Sequence, residues 1–452
     1  MSFALGISAA VDQARRKRPA PLPGWLVAAA PAVLAASLLA HLATQLAWPR
    51  SFHLVDLLVY RAGGLALWSG PVLYTEPVVA DLRFTYPPFA ALLFSPLGWV
   101  SFDTLTGPGT AVNAAALTWV VLHCWRHLGQ PPGRQLAALT ALLAATVFWL
   151  EPVRTTMALG QINLVLMAVV LWDLTRPDSA RWKGVAVGIA AGIKLTPAFF
   201  VLYLLATRRF RAAGIAVAAL LGTVAAGFLA APAAASTFWA GTFLDSGRIG
   251  SIAVPSNQSI TGMLTHLTGD GSYPRSLWLL LALTAAVTGL WLAAGARRRG
   301  QELLGVTLAG LTTTAVSPFS WSHHWVWFVP LAVLLTHHAR TGSRRVGLTL
   351  LAALHLLAGA WIVGFARTGN PVPGLFFLDL FHDLPLALEL LTRNVYLVIF
   401  AGTLALTATQ LLRPLAPAPG PLRSPVLGAR SRALPGAGRP WVLLSRRGSG
   451  RG

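Results

Sequence analysis

The sequence predicts an all-α integral membrane protein, a polytopic helical bundle of about 12 membrane segments with a large first outer loop. Three observations predict it. Charged residues are 11% of the 452 residues and hydrophobic residues 55%, whereas a soluble protein carries about 25% charged residues. Apolar runs near the length needed to cross a bilayer recur along the chain. The basic residues sort between alternate connecting segments.

The spans fall near 25–46, 105–125, 135–150, 159–173, 212–231, 277–296, 303–316, 325–336, 346–365 and 394–412. Two further apolar stretches are interrupted. Residues 86–100 start with Tyr86-Pro87-Pro88 and are short, which predicts an interfacial or re-entrant helix. Residues 184–206 contain Lys194 and Pro197 and predict a hairpin of two short helices. Residues 1–24 form an N-terminal segment in which Arg15, Arg16, Lys17 and Arg18 precede a long apolar run, the pattern of a signal anchor. Residues 25–412 form the membrane domain, with outer loops at about 47–104, 232–276 and 366–393. The tail, 413–452, is rich in Pro, Gly and Arg without any acid and predicts a disordered cytoplasmic segment.

Formal net charge is +21, which raises nucleic acid, a membrane surface or an acidic ligand as partner classes. Placement decides between them. With both termini cytoplasmic, the cytoplasmic side holds 26 basic and 4 acidic residues, and the outer side 8 and 10. The basic balance is then a topology signal, and nucleic acid is not needed to explain it. A single cysteine, Cys124, excludes an intramolecular disulfide and a cysteine metal site. No Walker loop and no dinucleotide fingerprint follow a strand pattern. No tandem repeat is evident.

Several polar constellations sit where apolar residues are expected. Asp56, Tyr60 and Gly63/Gly64 share a helical face just beyond the first span. A carboxylate among aliphatic neighbours holds its proton more tightly and suits a general base; an ion pair with Arg61 or a helix cap is the plainer alternative. Phe84-Thr85-Tyr86-Pro87-Pro88-Phe89 is a rigid aromatic stretch at the interface, an anchor or a platform for a sugar ring. Gly160-Gln161-Ile162-Asn163 opens a span with two amides, which need partners from another helix or a hydroxylated ligand. Lys194, within Gly192-Ile193-Lys194-Leu195-Thr196-Pro197, is costly in an apolar stretch. A phosphate would neutralise it; snorkelling to the interface is the alternative. Ser256-Asn257-Gln258-Ser259 is a polar cluster in the second large loop. Ser317-Pro318-Phe319-Ser320-Trp321-Ser322-His323-His324 joins two spans on the outer side. Adjacent histidines point about 100° apart on a helix, which makes them poor joint metal ligands. One could donate to a phosphate oxygen, or both could be buried structural residues. His337 and His338 fall on the cytoplasmic side beside Arg340.

These motifs, in order across about 50–330, resemble glycosyltransferase family 87 of the GT-C superfamily. The carriers are Asp56, Tyr60 and Arg61 with Gly70 and Tyr74, then Thr85-Tyr86-Pro87-Pro88-Phe89, Gly160-Gln161-Ile162-Asn163, the Lys194 motif, Asn257-Gln258-Ser259 and the His323-His324 motif. The family includes actinobacterial enzymes that take mannose from polyprenyl-phosphate mannose to build phosphatidylinositol mannosides and lipomannan-type glycolipids. The resemblance implies a GT-C-type bundle in the cytoplasmic membrane with an outward-facing site. It implies an inverting transfer forming an α-(1→2) linkage to a glycolipid or lipoglycan acceptor. Asp56 would be the catalytic aspartate. Tyr60, Arg61, Tyr86, Gln161, Asn163, Lys194, Asn257, Gln258, His323 and His324 would surround the donor phosphate and sugar. No cofactor is implied; a divalent metal occurs in the wider superfamily, but no ligand set here calls for one. An arabinofuranosyltransferase using polyprenyl-phosphate arabinofuranose shares these features. A transporter or flippase of lipid-linked sugars would share the spans and Lys194, but would show paired halves and a midplane site.

Overall fold

A computed structural model describes residues 20–412. The four basic residues at 15–18 and the tail from Arg413, with their predicted cytoplasmic placement, lie outside the described residues. What is described is almost wholly helical, with two small antiparallel ribbons, Pro77–Val79 with Leu82–Arg83 and Ile362–Phe365 with Pro371–Pro373.

Five helices are long and apolar enough to cross a membrane: Gly24–Ala47, Phe102–His127, Phe210–Ala230, Arg275–Arg298 and Val395–Leu412. Each coincides with a predicted span. Phe102–His127 shows why such a run is a helix with defined ends. Ser101 caps its first turn by accepting from the Thr104 amide at 3.3 Å, Asp103 follows, and Arg126 and His127 close the last turn. Each charge opposes the end of the helix dipole nearest to it.

The other predicted spans are shorter or broken. Arg134–Val147 and Glu302–Val316 are single helices of 14 and 15 residues. The span expected at 159–173 is two helices, Glu151–Leu159 and Asn163–Thr175, bent by 117°. Gly160 makes the bend: its φ of +68° is left-handed, and a Cβ there would lie 2.9 Å from Leu57 Cβ. The span expected at 346–365 ends at Ala358. Its last residues, Ile362–Phe365, form a strand instead, because Arg367–Asn370 turns back through Gly369 at φ +75°. The expected span at 325–336 begins in a 3-10 turn, Ser322–Trp327, before the helix Phe328–Thr341. Residues 86–100 form a helix, Pro88–Phe94, and a 3-10 turn, Ser95–Trp99, too short together to cross.

Residues 184–206 divide as expected, into Val185–Ile193 and Phe199–Ala206 around Lys194. The first packs on Phe210–Ala230 through Gly184, Gly188 and Gly192. A Cβ at these positions would lie 2.1 Å from the Ala212 carbonyl oxygen, 2.2 Å from that of Ala216 and 2.1 Å from Thr223 Oγ1. Small residues every fourth position let two backbones approach where lipid supplies no hydrophobic drive. Asp173 completes the anchor. Its buried carboxylate accepts from the amides of Gly184, Ala186 and Val187 at 2.9–3.2 Å and from Arg176 at 2.6 Å.

Charges assigned to the cytoplasmic side meet at one place. Asp178 pairs with Lys183 at 2.9 Å, Arg209 at 3.0 Å and Arg297, and Glu302 pairs with Arg209 and Arg297. This network ties four helix ends together.

Asp173→Ala strips a helix N-terminus of its acceptor and leaves Arg176 half-paired. We expect a loss of about 3–5 kcal/mol, seen as a lower melting midpoint of the detergent-solubilised chain; an unchanged midpoint would refute this anchor.

Candidate active site

Asp56 is delivered by a helix, Val55–Ala66, whose start is strained. Leu54, its N-cap, has φ 46° and ψ 39°, a left-handed conformation rare for a residue with a side chain. Its amide donates to the Ala158 carbonyl at 3.0 Å, which ties it to the neighbouring broken helix. The far end of the same face is seated by Gly63 against the Phe84 ring and Gly64 against the Phe94 carbonyl. Asp56 does not cap the helix, and Arg61 is turned away to the carbonyls of Val100 and Gly98, at 2.8 and 3.3 Å. Both plainer readings of Asp56 are thereby removed. Its carboxylate faces a cavity, and burial pushes its pKa up to about 6, against the opposing pull of Lys194 and a hydrogen bond from Gln161.

The amides of the Gly160 bend find partners in the aromatic stretch. Tyr60 OH donates to Gln161 Oε1 at 2.8 Å, Gln161 Nε2 donates to Tyr86 OH at 3.1 Å, and the Ile162 amide donates to Tyr60 OH at 3.3 Å. Tyr60 stacks on Phe94 at 4.6 Å, and Tyr74 OH holds the Tyr86 carbonyl at 2.9 Å. The network fixes Gln161 beside Asp56.

Lys194 follows the last residue of helix Val185–Ile193 in extended conformation. Its Nζ donates to Asn163 Oδ1 at 2.9 Å and His324 Nε2 at 3.1 Å, and lies 5.7 Å from the Tyr86 ring centre. Asn163 Nδ2 donates to the His323 carbonyl at 2.9 Å, so one amide joins the lysine to the histidine turn. Burial and the Lys194 ammonium hold both imidazoles well below the usual histidine range. His324 is therefore neutral and accepts from Lys194 through Nε2, which leaves Nδ1–H as its donor. His323 Nε2 is buried without a hydrogen-bond partner.

Asp56, Tyr86, Gln161, Lys194, His323 and His324 line one cavity of about 1380 Å³. Neither hydrogen-bond partner of Lys194 carries negative charge, so the ammonium stays available to an anion.

A family model for glycosyltransferase family 87 matches residues 84–318. A polyprenol-phosphate-mannose-dependent alpha-(1-2)-phosphatidylinositol pentamannoside mannosyltransferase of Mycolicibacterium smegmatis is 37% identical over 361 residues, 77% of this chain and 85% of that protein. A polyprenol-phosphate-mannose-dependent alpha-(1-2)-phosphatidylinositol mannoside mannosyltransferase of Mycobacterium tuberculosis is 33% identical over 329 residues, 68% of this chain and 75% of that protein. The chain belongs to glycosyltransferase family 87. No solved structure matches it. The stretch matched by the family model holds Tyr86, Gln161, Asn163 and Lys194, while Asp56 and the two histidines flank it.

Not every residue expected in the site of this family 87 chain reaches the cavity. Tyr60 stands behind Gln161, and Arg61 serves the backbone. Asn257 and Gln258 are buried staples. Asn257 Oδ1 accepts from the Ser320 amide at 3.1 Å, and its Nδ2 donates to the Ile252 carbonyl. Gln258 Nε2 donates to the carbonyls of Pro255 and Arg393, and its Oε1 accepts from the Tyr396 amide. The Asn257 amide braces the segment that carries the histidines, and the Gln258 amide ties its loop to the start of helix Val395–Leu412. Conversely, Glu151 and Arg154, two of the charges assigned to the outer side, line the cavity. Their signal was a carboxylate and a guanidinium one turn apart at the mouth of an apolar run. Glu151 is saturated by hydroxyls of Thr155, Ser322 and Tyr396 at 2.6, 2.8 and 2.6 Å. Among the described residues, no three His, Cys, Asp or Glu side chains gather as a metal site.

A base with a raised pKa works only when ionised. With Asp56 as the base, kcat/KM for transfer should rise with pH through about pH 6. Asp56→Asn should lower the rate at least about 100-fold at unchanged membrane abundance. Near-normal activity of that variant would remove Asp56 as the base.

Proposed function

We propose that this chain is an inverting mannosyltransferase. It moves mannose from polyprenyl-phosphate mannose to a phosphatidylinositol mannoside or related lipid-linked glycan, forming an α-(1→2) linkage. The observation that carries the reading is the meeting of Asp56 and Lys194 on one cavity, with neutral His324 and Gln161 beside them. The relatives' names supply the donor and acceptor class.

The chemistry follows from these groups. The Asp56 carboxylate accepts the proton of an acceptor hydroxyl as its oxygen bonds to the anomeric carbon. The bond from that carbon to the phosphate oxygen breaks, and polyprenyl phosphate leaves with the electron pair. Lys194 faces the negative charge that develops there, and the Nδ1–H of His324 is a second donor. Attack opposite the leaving group converts a β-linked donor to an α-linked product. Tyr86 offers an aromatic face to the sugar, and Gln161 orients Asp56.

In this reading the fold is a GT-C-type bundle of about 12 segments in the cytoplasmic membrane. Both termini are cytoplasmic, and the cavity faces outward. Support comes from the charge separation along the sequence and from the five long apolar helices. The two shorter helices at the Lys194 break would enter and return as a hairpin, and the pair at the Gly160 break, bent by 117°, would fold back rather than cross.

Membranes containing the chain, incubated with labelled polyprenyl-phosphate mannose, should yield labelled mannoside on a phosphatidylinositol-anchored glycolipid, with an α-(1→2) bond to the acceptor. Label carried only from polyprenyl-phosphate arabinofuranose would replace the sugar. Label crossing the membrane with no new glycosidic bond would replace the enzyme with a transporter.

A further inference from the structure

The transfer chemistry leaves one buried cation of the cavity unused. Arg154 is 9% exposed and lines the same cavity from helix Glu151–Leu159. One guanidinium nitrogen donates to Thr44 Oγ1 at 2.7 Å. The group sits 4.6 Å from the Trp149 ring centre and 5.3 Å from that of Phe52. The other terminal nitrogen is buried without a hydrogen-bond partner. Among the described residues Arg154 forms no ion pair. Glu151, one turn away, is bonded to three hydroxyls and forms no ion pair with it.

A second orphan lies beside it. His41 is 5% exposed, and both its ring nitrogens lack partners. Its ring meets Phe52 edge-on at 5.2 Å and Phe148 at 4.7 Å, within electrostatic reach of Arg154. Phe52 thus touches both groups. A buried guanidinium without a counter-ion is costly. A planar guanidinium held between aromatic faces, with one edge unbonded, is the donor geometry that suits a phosphate. Position narrows the ligand. His41 and Thr44 occupy the last two turns of Gly24–Ala47, a helix long enough to cross the membrane. The end of such a helix lies at headgroup depth.

We propose that Arg154, backed by His41, binds the phosphodiester of a lipid-anchored acceptor. The headgroup is held at this wall while the acceptor's sugar reaches Asp56. The assignment rests on the reading of the chain as a glycosyltransferase with a lipid-linked acceptor. A phosphodiester is also the chemistry of a bystander anionic lipid, and free phosphate resembles both.

The test uses the full-length chain in non-ionic detergent with polyprenyl-phosphate mannose and two acceptors. One is a phosphatidylinositol mannoside; the other carries the same mannoside on an uncharged alkyl chain. Arg154→Ala should raise KM for the phosphoinositide acceptor about 10- to 100-fold. Donor KM and the rate with the uncharged acceptor should stay as in the wild type, and that retained rate also shows that the variant is folded. Arg154→Lys, which keeps the charge and loses the fork, should fall between. An equal loss on both acceptors in a variant that melts with the wild type overturns the assignment. So does a shift in donor KM, or no change. If phosphatidylglycerol or inorganic phosphate alters the wild-type rate on the uncharged acceptor and Arg154→Ala abolishes that effect, the site serves a bystander anion and the acceptor assignment falls. If the wild type transfers mannose to neither acceptor, the glycosyltransferase reading itself fails. Binding of phosphatidylinositol then decides: loss in Arg154→Ala retains the site, and equal binding removes it.

Discussion

The structure depends on keeping a carboxylate and an ammonium near each other in a cavity without letting them collapse into an ion pair. Asp56 and Lys194 interact electrostatically, yet the lysine's hydrogen bonds go to Asn163 and His324, both uncharged. A closed pair would quench both charges. Held apart, both charges stay available, as the proposed transfer requires. Neutral partners for Lys194 are what make this arrangement possible, and His324 is neutral because burial and the lysine itself disfavour its charged form.

Three interruptions of helical backbone position these groups. Leu54 begins the Asp56 helix from a left-handed conformation, Gly160 bends the chain before Gln161 and Asn163, and Lys194 stands at a break between two short helices. Irregular backbone at membrane depth is tolerated where it lines a cavity or is bonded by protein. Here it is bonded: Leu54 to Ala158, Ile162 to Tyr60, and Asn163 to the His323 turn. The rest of the bundle anchors these breaks. The glycine stripe at 184, 188 and 192 and the Asp173 carboxylate fix the helix that ends at Lys194.

Much of the candidate cavity's lining was legible because each residue broke a local expectation. A carboxylate among aliphatics, a lysine in an apolar run and two amides at the start of a span are expensive unless used. What was not legible is where polar side chains find backbone partners. Arg61 is five residues beyond Asp56, about 140° around the helix, and two loop carbonyls claim it. Asn257 and Gln258 looked like ligand contacts but satisfy distant amides and carbonyls. Hydropathy marked the five long helices well. It could not register the left-handed glycine that breaks 159–173, nor the turn that makes 362–365 a strand. Arg154 was hidden for the opposite reason: its spacing from Glu151 suggests an ion pair, and nothing in the sequence shows that Glu151 is engaged by hydroxyls instead.

In the proposed mechanism Lys194 tunes Asp56 through space while serving the leaving group. The most direct measurement is the pH dependence of kcat/KM in Lys194→Met compared with the wild type. Removing the cation removes the pull that lowers the Asp56 pKa, so the rising limb should move from about pH 6 to higher pH, on top of a lower plateau. A limb that stays in place while the plateau falls would show that Lys194 acts on the phosphate alone, and would contradict the coupling between Lys194 and Asp56.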